Sequence, residues 1–167
     1  MGAMISVILL TLNDEATLAD ALADLVPAAV DGLVREVLAV DGGSTDATPD
    51  ILEDAGARVV RRAGTVGERL AAGAAAAKGA WLMVLPPGPA LFPTWQRDVA
   101  QHIERHGDAV GLMKAERAGW WPGRGVEALL ISRQRLDRGG GFAPGDKGVE
   151  GVIRRAGRPR QTLRVLL

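Results

Sequence analysis

A chain of 167 residues fits one domain, and with 47% hydrophobic and 24% charged residues it has the composition of a folded protein with a substantial core. The 20 basic and 20 acidic residues give a formal net charge of +0, which excludes a general affinity for nucleic acid or anionic membranes. The absence of cysteine excludes disulfide bonds and thiolate metal sites and is typical of a reducing compartment. Since no apolar run is long enough to span a bilayer, we expect a cytoplasmic protein with no transmembrane segment, and peripheral association with a membrane stays open.

The first part of the chain alternates between apolar β-rich runs and segments with helical spacing. Residues 5–10 predict a first strand that is buried on both faces, followed by a polar turn. The next helix begins near Leu18 and is predicted to end at Pro27. Residues 36–40 predict the second strand, and Asp46 is predicted to cap the helix that follows it.

The alternation continues to the middle of the chain. Residues 58–61 predict a third strand, residues 66–78 an alanine-rich helix, and residues 80–85 a fourth strand. Residues 86–89 include three prolines and predict an irregular segment, after which Thr94 is predicted to cap a fourth helix. This order predicts an α/β fold with a mostly parallel sheet and helices on both faces.

The pattern changes after Gly107. Residues 109–116 and 126–131 predict strands, and two short helices are predicted at 133–138 and 148–156. The arginines near the C-terminus are interpreted as the solvated face of the last helix and a tail.

Two histidines on the predicted fourth helix have a spacing that can hold zinc. His102 and His106 lie four residues apart, but the sequence offers no evident third ligand. We therefore interpret them as part of a solvated helix face.

Asp41 ends the second predicted strand and opens the most informative segment of the chain. Two glycines follow it, and then the polar residues 44–46, which predict a tight turn into a helix. Glycines allow a backbone to approach a ligand closely, and an acid at the carboxyl end of a strand can hold a base or a ribose. The segment favours a nucleotide site, while the alternative that Asp41 only caps the turn stays open.

Four segments, in their order and spacing, resemble the nucleotide-binding half of family 2 glycosyltransferases, which have the GT-A fold. The segments are residues 5–15, 40–46, 55–60 and 73–79. Residues 142–146 and 154–158 look like the acceptor segment of small bacterial members of this family.

The resemblance implies one GT-A (Rossmann-like) domain over residues 1–167, with a nucleotide-binding half at 1–107 and a smaller acceptor half at 108–167. It also implies the partners and the reaction, which is transfer of a sugar from a nucleotide-sugar donor to a hydroxyl acceptor whose identity the sequence does not give.

Residue roles also follow from the resemblance. The nucleotide-binding residues that it implies are Thr11, Asn13, Glu15, Asp41, Gly43 and Arg69. Among them, Asp41 is expected to hold the base or ribose, and Arg69 is expected to lie near the diphosphate. Asn13 and Glu15 have a second interpretation, as the N-cap and a first-turn residue of the first helix.

Asp146 is the catalytic residue that the resemblance implies. It aligns with the acid that deprotonates the acceptor hydroxyl in relatives, although Gly145 stands where relatives usually have glutamate. An exposed loop acid is the alternative interpretation of Asp146, and Glu150 replaces it if the alignment shifts by one helical turn.

The family's metal site is the main departure from the resemblance. Relatives end the fourth strand with a short acidic motif that binds Mn²⁺ or Mg²⁺, and this cation neutralises the diphosphate leaving group. Here residues 86–89 are prolines and a glycine, and no acid follows before Asp98, so we expect no metal ligands and assign no cofactor with certainty.

Two alternatives to an ordinary transferase stay open. One is a catalytically inactive member that binds a nucleotide or a partner protein; the other is a metal-independent transferase in which Arg61, Arg62 or Arg69 offsets the diphosphate charge.

Overall fold

The structure, a computed structural model, describes residues 5–85, 91, 93–115, 128–157 and 161–165. The strands in these residues are β1 Ile5–Thr11, β2 Val34–Asp41, β3 Arg58–Arg61, β4 Trp81–Leu85, β5 Gly111–Ala115, β6 Ala128–Ser132 and β7 Gln161–Val165. The helices are α1 Leu18–Val30, α2 Thr48–Asp54, α3 Val66–Ala76, α4 Trp95–His106, α5 Arg133–Arg138 and α6 Glu150–Ala156.

The strands form one mostly parallel sheet, which confirms the predicted α/β architecture. Their order is β3-β2-β1-β4-β6-β5-β7. The first four strands are parallel to one another, and β6 runs against both of its neighbours. The carboxyl ends of β3, β2, β1 and β4 therefore meet along the same edge, and the loops that follow them come together there.

Helices cover both faces of the sheet, so its central strands are buried on both sides. Successive side chains of a strand point to opposite faces. Ile5, Val7 and Leu9 of β1 lie in the core under α1, α2 and α4, whereas Ile8 and Leu10 lie in the core under α3, α5 and α6. No helix among the described residues has the length and apolar character needed to cross a bilayer.

Gly73 sets the distance between α3 and the sheet. A Cβ atom added there would lie 2.8 Å from Cγ2 of Ile8 and 2.9 Å from Cγ2 of Val40, which is closer than side-chain atoms approach. The glycine allows α3 to pack directly on β1 and β2, and this packing places Arg69 at the carboxyl edge of the sheet.

The prediction that Pro27 ends the first helix is wrong, because α1 continues to Val30 with Pro27 inside it. A proline removes one helical hydrogen bond, which leaves the carbonyl of Ala23 without its usual donor. Ala23 and Pro27 both lie on the exposed face of α1, where water can solvate that carbonyl, and the buried Leu25 and Ala28 keep the helix packed on the sheet.

Other predictions for helix ends and for the C-terminus are wrong in detail. Ala47, not Asp46, is the residue before α2, although Oδ1 of Asp46 accepts a hydrogen bond from the Thr48 backbone N–H at 3.0 Å. Thr94 precedes α4 but its hydroxyl donates to Asp98 instead of capping the helix. The predicted tail contains β7, which pairs in parallel with β5.

The prediction that His102 lies on a solvated helix face is wrong. Its side chain is fully buried, and its Nε2 lies 2.8 Å from the Ala109 carbonyl oxygen. The prediction for residues 86–89 falls outside the described residues.

Candidate functional site

The carboxyl edge of the sheet aligns three of the polar residues that the sequence singled out. Thr11 of β1 pairs in register with Asp41 of β2, and Asp41 pairs with Arg61 of β3. Hydrogen bonds continue between neighbouring strands beyond these residues. The Gly42 N–H donates to the Thr11 carbonyl, and the Arg62 N–H donates to the Asp41 carbonyl, both at 2.9 Å. The predicted nucleotide residues are therefore neighbours in space.

Asp41 is buried, with 2% of its surface exposed, and it anchors the loop after β2. Its Oδ2 accepts hydrogen bonds from the backbone N–H groups of Gly43 at 3.0 Å and Ser44 at 2.9 Å. Its Oδ1 accepts from the hydroxyls of Ser44 and, at 3.3 Å, Thr11. Burial opposes ionisation, but the bonds from Ser44, Gly43 and Thr11 outweigh it and lower the pKa of Asp41. All four hydrogen bonds join Asp41 to its own turn and to Thr11, as expected for a residue that caps the turn.

Asn13 joins the loop after β1 to the loop after β2. Its Oδ1 accepts a hydrogen bond from the Thr45 N–H at 2.8 Å, and its own N–H donates to the Ser44 hydroxyl at 2.9 Å. Its φ of 55° lies in the left-handed region, which asparagine tolerates better than most residues.

Glu15 makes a second pair of bonds between the same loops. Its Oε2 accepts from the Ala47 N–H at 2.8 Å, and its N–H donates to Oδ2 of Asp46 at 3.3 Å. The alternative that Asn13 and Glu15 begin the first helix is wrong, because Thr17 is the residue before α1. Both side chains instead fix the shape of the two loops that border the site.

Asp14 belongs to the same group of loop residues, and our sequence analysis did not single it out. Its Oδ2 accepts from the Leu12 N–H at 2.7 Å, and its own N–H donates to the Thr48 hydroxyl at 2.8 Å. Burial raises the pKa of Asp14, the negative charges of Asp46 and Asp41 add to this effect, and the Leu12 N–H and the positive charge of Arg69 oppose it. The signal that could have found it is an acid in the first loop after a buried strand.

Arg69 enters the site from the second turn of α3. Its Nη2 donates to the carbonyl oxygens of Thr11 at 2.6 Å and Val40 at 2.7 Å, so one nitrogen spans the ends of β1 and β2. Its Nε is buried without a partner in the described part of the chain. Burial lowers the pKa of Arg69, while the charges of Asp41 and Asp14 raise it, and a guanidinium keeps its positive charge regardless.

A cavity of about 310 Å³ opens beside Asp41, on the β3 side of the edge. Its walls come from the loop after β2, the start of α2 and the end of β3: Asp41, Gly43, Ser44, Pro49, Arg61, Arg62 and Ala63. Arg62 also lies 3.7 Å from a carboxylate oxygen of Glu68. The volume is at the lower end of the range for small-molecule sites, which suits part of a nucleotide.

Asp146 lies in a loop that packs on the first turn of α3. Gly67 makes this approach possible, since a Cβ atom there would lie 1.9 Å from the Ala143 carbonyl oxygen. The Thr65 hydroxyl donates to the Pro144 carbonyl at 2.8 Å. The predicted catalytic residue is therefore attached to the helix that carries Arg69.

The carboxylate of Asp146 is fully engaged inside the protein. Arg155 donates to both of its oxygens, from Nη2 at 2.7 Å and from Nη1 at 3.0 Å, and the Ala143 N–H donates at 2.8 Å. The hydrogen bonds from Arg155 are the largest cause of a lowered pKa of Asp146, burial opposes them, and the Ala143 N–H adds to the lowering. With 8% of its surface exposed, Asp146 is not the exposed loop acid of the alternative interpretation.

Glu150, four residues further on, begins α6. Its Oε1 is buried and has no hydrogen-bond partner among the described residues. A buried carboxylate oxygen without a donor is unfavourable, so this oxygen is available to accept a hydrogen bond from a ligand.

The described residues do not fit the divalent cation that the resemblance implies. They contain no group of three or more histidines, cysteines or carboxylates that could hold a metal ion. The acids at the carboxyl edge already accept backbone hydrogen bonds, as the contacts of Asp14, Glu15, Asp41 and Asp46 show. Hard cations need several converging oxygens, and this edge does not offer them.

Comparison with known proteins gives a family match over most of the chain. The model for glycosyl transferase family 2 matches residues 6–154. Glucosyl-3-phosphoglycerate synthase of Mycobacterium tuberculosis (strain H37Rv) is 48% identical over 61 residues, which is 36% of this chain and 18% of that protein. The protein of the same name from Mycobacterium bovis has the same identity and coverage. The matched segment is thus less than a fifth of the length of these relatives.

Solved structures match nearly the whole chain at low sequence identity. Glucosyl-3-phosphoglycerate synthase from M. tuberculosis in complex with Mn²⁺ and UDP-glucose has a TM-score of 0.79 and 24% identity, covering 99% of this chain and 70% of that one. S. aureus TarS 1–349 has a TM-score of 0.73 and 18% identity, covering 98% of this chain and 58% of that one. These similarities confirm the predicted GT-A fold.

Proposed function

The chain belongs to glycosyl transferase family 2, and on that premise we propose that it transfers a sugar from a nucleotide-sugar donor to a hydroxyl acceptor. The proposal rests on one observation: three features lie together at the carboxyl edge of the sheet. They are the guanidinium of Arg69, the hydrogen-bonded loops after β1 and β2, and the cavity beside Asp41. In open α/β sheets, ligands bind in the crevice outside the carboxyl ends of the strands.

We place the parts of the donor by the strands that border each part of the site. The cavity lies at the ends of β2 and β3, and it receives the nucleoside beside Gly43. Arg69 lies one strand further along, at the ends of β1 and β2, where it meets the diphosphate. The donor then crosses the sheet edge, and its sugar points toward the end of β4.

Asp41, Asn13 and Glu15 support this donor indirectly. Their side chains bind backbone N–H groups of the loops, so they hold the walls of the site in place. Preorganised walls reduce the ordering cost of binding, which is how residues without a ligand contact raise affinity.

The reaction needs an acceptor for the proton of the attacking hydroxyl. A general base works best with a pKa near the operating pH. Asp146, the predicted base, has a lowered pKa and both oxygens bound to Arg155, which favours a role in positioning the acceptor loop. Glu150 is the second candidate, because its Oε1 is buried without a donor among the described residues.

The test is a panel of nucleotide-sugars assayed for binding by calorimetry and for turnover by release of the nucleoside diphosphate. UDP-glucose comes first, with 3-phosphoglycerate among the acceptors, because solved structures of the relatives contain UDP-glucose and phosphoglyceric acid. Binding with turnover supports the proposal. Binding without turnover with any acceptor favours the inactive alternative, and no binding of any donor contradicts both.

A further inference from the structure

We propose that this chain binds the donor diphosphate without a divalent cation, and that the guanidinium of Arg69 supplies the positive charge in its place. The inference rests on the proposed function, since it concerns the donor of that same site. It separates this chain from its relatives, whose solved structures hold Mn²⁺ or Mg²⁺ together with UDP.

The carboxylates of the site are committed to other partners. Asp41 receives four hydrogen bonds on its two oxygens. Asp46 accepts from the Glu15 and Thr48 N–H groups with one oxygen each, and Glu15 and Asp14 each accept a backbone N–H. A cation at this edge would have to break loop contacts to gain ligands.

The end of β4 offers no replacement. The strand ends at Leu85, and the sequence from there to Asp98 contains no aspartate, glutamate or histidine. A divalent ion that neutralises a diphosphate usually needs at least one or two carboxylates from the protein. The charge of the donor must therefore be offset by other groups.

Arg69 has the position and the unused donors for this role. Among the described residues only its Nη2 is engaged, with two carbonyl oxygens at the ends of β1 and β2, and these two bonds fix the guanidinium beside the path of the donor. Nη1 has no hydrogen-bond partner among the described residues, which leaves donors for a phosphate oxygen, while Nε is buried and also lacks a partner there. The charge of Arg69 therefore lies at the strand ends where we place the diphosphate.

Arg61 and Arg62 add positive charge but lie on the other side of the site. Both line the cavity at the ends of β2 and β3, to which we assign the nucleoside. Arg69 instead bonds the ends of β1 and β2, where we place the diphosphate. Of the three arginines that the sequence left open, the geometry points to Arg69.

A substitution at Gly42 can displace the guanidinium of Arg69 without removing its charge. A Cβ atom added at Gly42 would lie 3.0 Å from Cζ and 3.2 Å from Nη1 of Arg69. The guanidinium of Arg69 must then shift by a few tenths of an ångström. Gly42→Ala is therefore a geometric counterpart to the charge deletion Arg69→Gln.

The experiment uses calorimetry on the full chain with MnCl₂ alone, and with UDP, GDP, ADP, CDP and dTDP in EDTA or in excess Mn²⁺. We expect no saturable binding of Mn²⁺ alone, and an affinity for the best nucleotide that differs by less than about twofold between EDTA and Mn²⁺. Arg69→Gln should weaken that affinity at least about tenfold, since a charged hydrogen bond is lost. Gly42→Ala should weaken it by a smaller factor, about threefold, through the small displacement of the guanidinium.

Arg35→Gln is the matched control, because Arg35 is an exposed arginine near the amino end of β2, at the opposite edge of the sheet. It should bind like the parent. Circular dichroism and thermal unfolding establish that each variant is folded, and Gly42→Ala keeps the test valid if Arg69→Gln fails to fold.

The outcomes separate this inference from the proposed function. Nucleotide binding that requires Mn²⁺, or saturable binding of Mn²⁺ alone, overturns the inference and leaves the proposed function standing. Binding in EDTA that neither Arg69→Gln nor Gly42→Ala weakens overturns the role of Arg69. If no nucleotide binds under either condition, the proposed function fails and the inference falls with it.

Discussion

Replacing Asp41 by asparagine tests whether its carboxylate anchors the loop after β2. The substitution keeps the shape of the side chain and removes its charge. The hydroxyls of Thr11 and Ser44 can accept as well as donate, so the new NH₂ group should turn toward them. The remaining oxygen then faces the Gly43 and Ser44 N–H groups as a neutral acceptor.

The magnitude follows from the two backbone bonds. A hydrogen bond to a charged group contributes about 1.5–3 kcal/mol, and a neutral one about 0.5–1.5 kcal/mol, so each loses about 1 kcal/mol. We expect Asp41→Asn to lower the free energy of unfolding at pH 7 by about 2 kcal/mol. The assay is urea unfolding followed by circular dichroism, with the exposed Asp54→Asn as a control that should change by less than about 0.5 kcal/mol.

The pH dependence gives the prediction a second part. The pKa of Asp41 is lowered in the folded state, so its stabilising effect is present above the pKa of the unfolded chain and is lost as the pH falls through the folded pKa. The difference between parent and Asp41→Asn should therefore shrink in acid. A difference below about 0.5 kcal/mol at pH 7, or one that stays constant into acid, would refute the reasoning.

Three further predictions concern the loop around Asp146. Asp146→Asn should lower the free energy of unfolding by about 2 kcal/mol, measured by urea unfolding, because the charge of Arg155 loses its partner; an unchanged midpoint would contradict this. Glu150→Gln should leave stability within about 0.5 kcal/mol while abolishing nucleoside diphosphate release, and a large loss of stability with retained turnover would remove Glu150 as a base candidate. Gly67→Ala should destabilise by about 1–3 kcal/mol, since its Cβ would collide with the Ala143 carbonyl, and a neutral effect would show that the loop can move aside.

Much of the fold could be predicted because its elements are local patterns. The third strand and the helix at Arg133–Arg138 have the predicted bounds, and the buried first strand differs from its prediction by one residue. Pro27 misled the prediction because its exposed position, which makes it tolerable, depends on which face of α1 meets the sheet. β7 was missed because its five residues pair with β5, which is far away in sequence.

The position of Asp41 at the end of β2 was predictable, but the contacts around it were not. An acid at a strand end placed Asp41 correctly, but its bond to Thr11 and the bonds between the two loops join residues that are 30 or more positions apart. The pair of Asp146 with Arg155 depends on how α6 turns back on its loop. Such contacts follow from tertiary packing, which local patterns do not encode.

The most direct test of the donor site is a ¹H–¹⁵N NMR titration of the full chain with the panel of nucleotide-sugars, beginning with UDP-glucose. The account predicts that a binding donor shifts the backbone signals of the loops after β1, β2 and β3, including Gly43, together with those around Arg69. Signals at the opposite edge, near Arg35, should stay unchanged. Shifts confined to that opposite edge, or no shifts with any donor, would contradict the account.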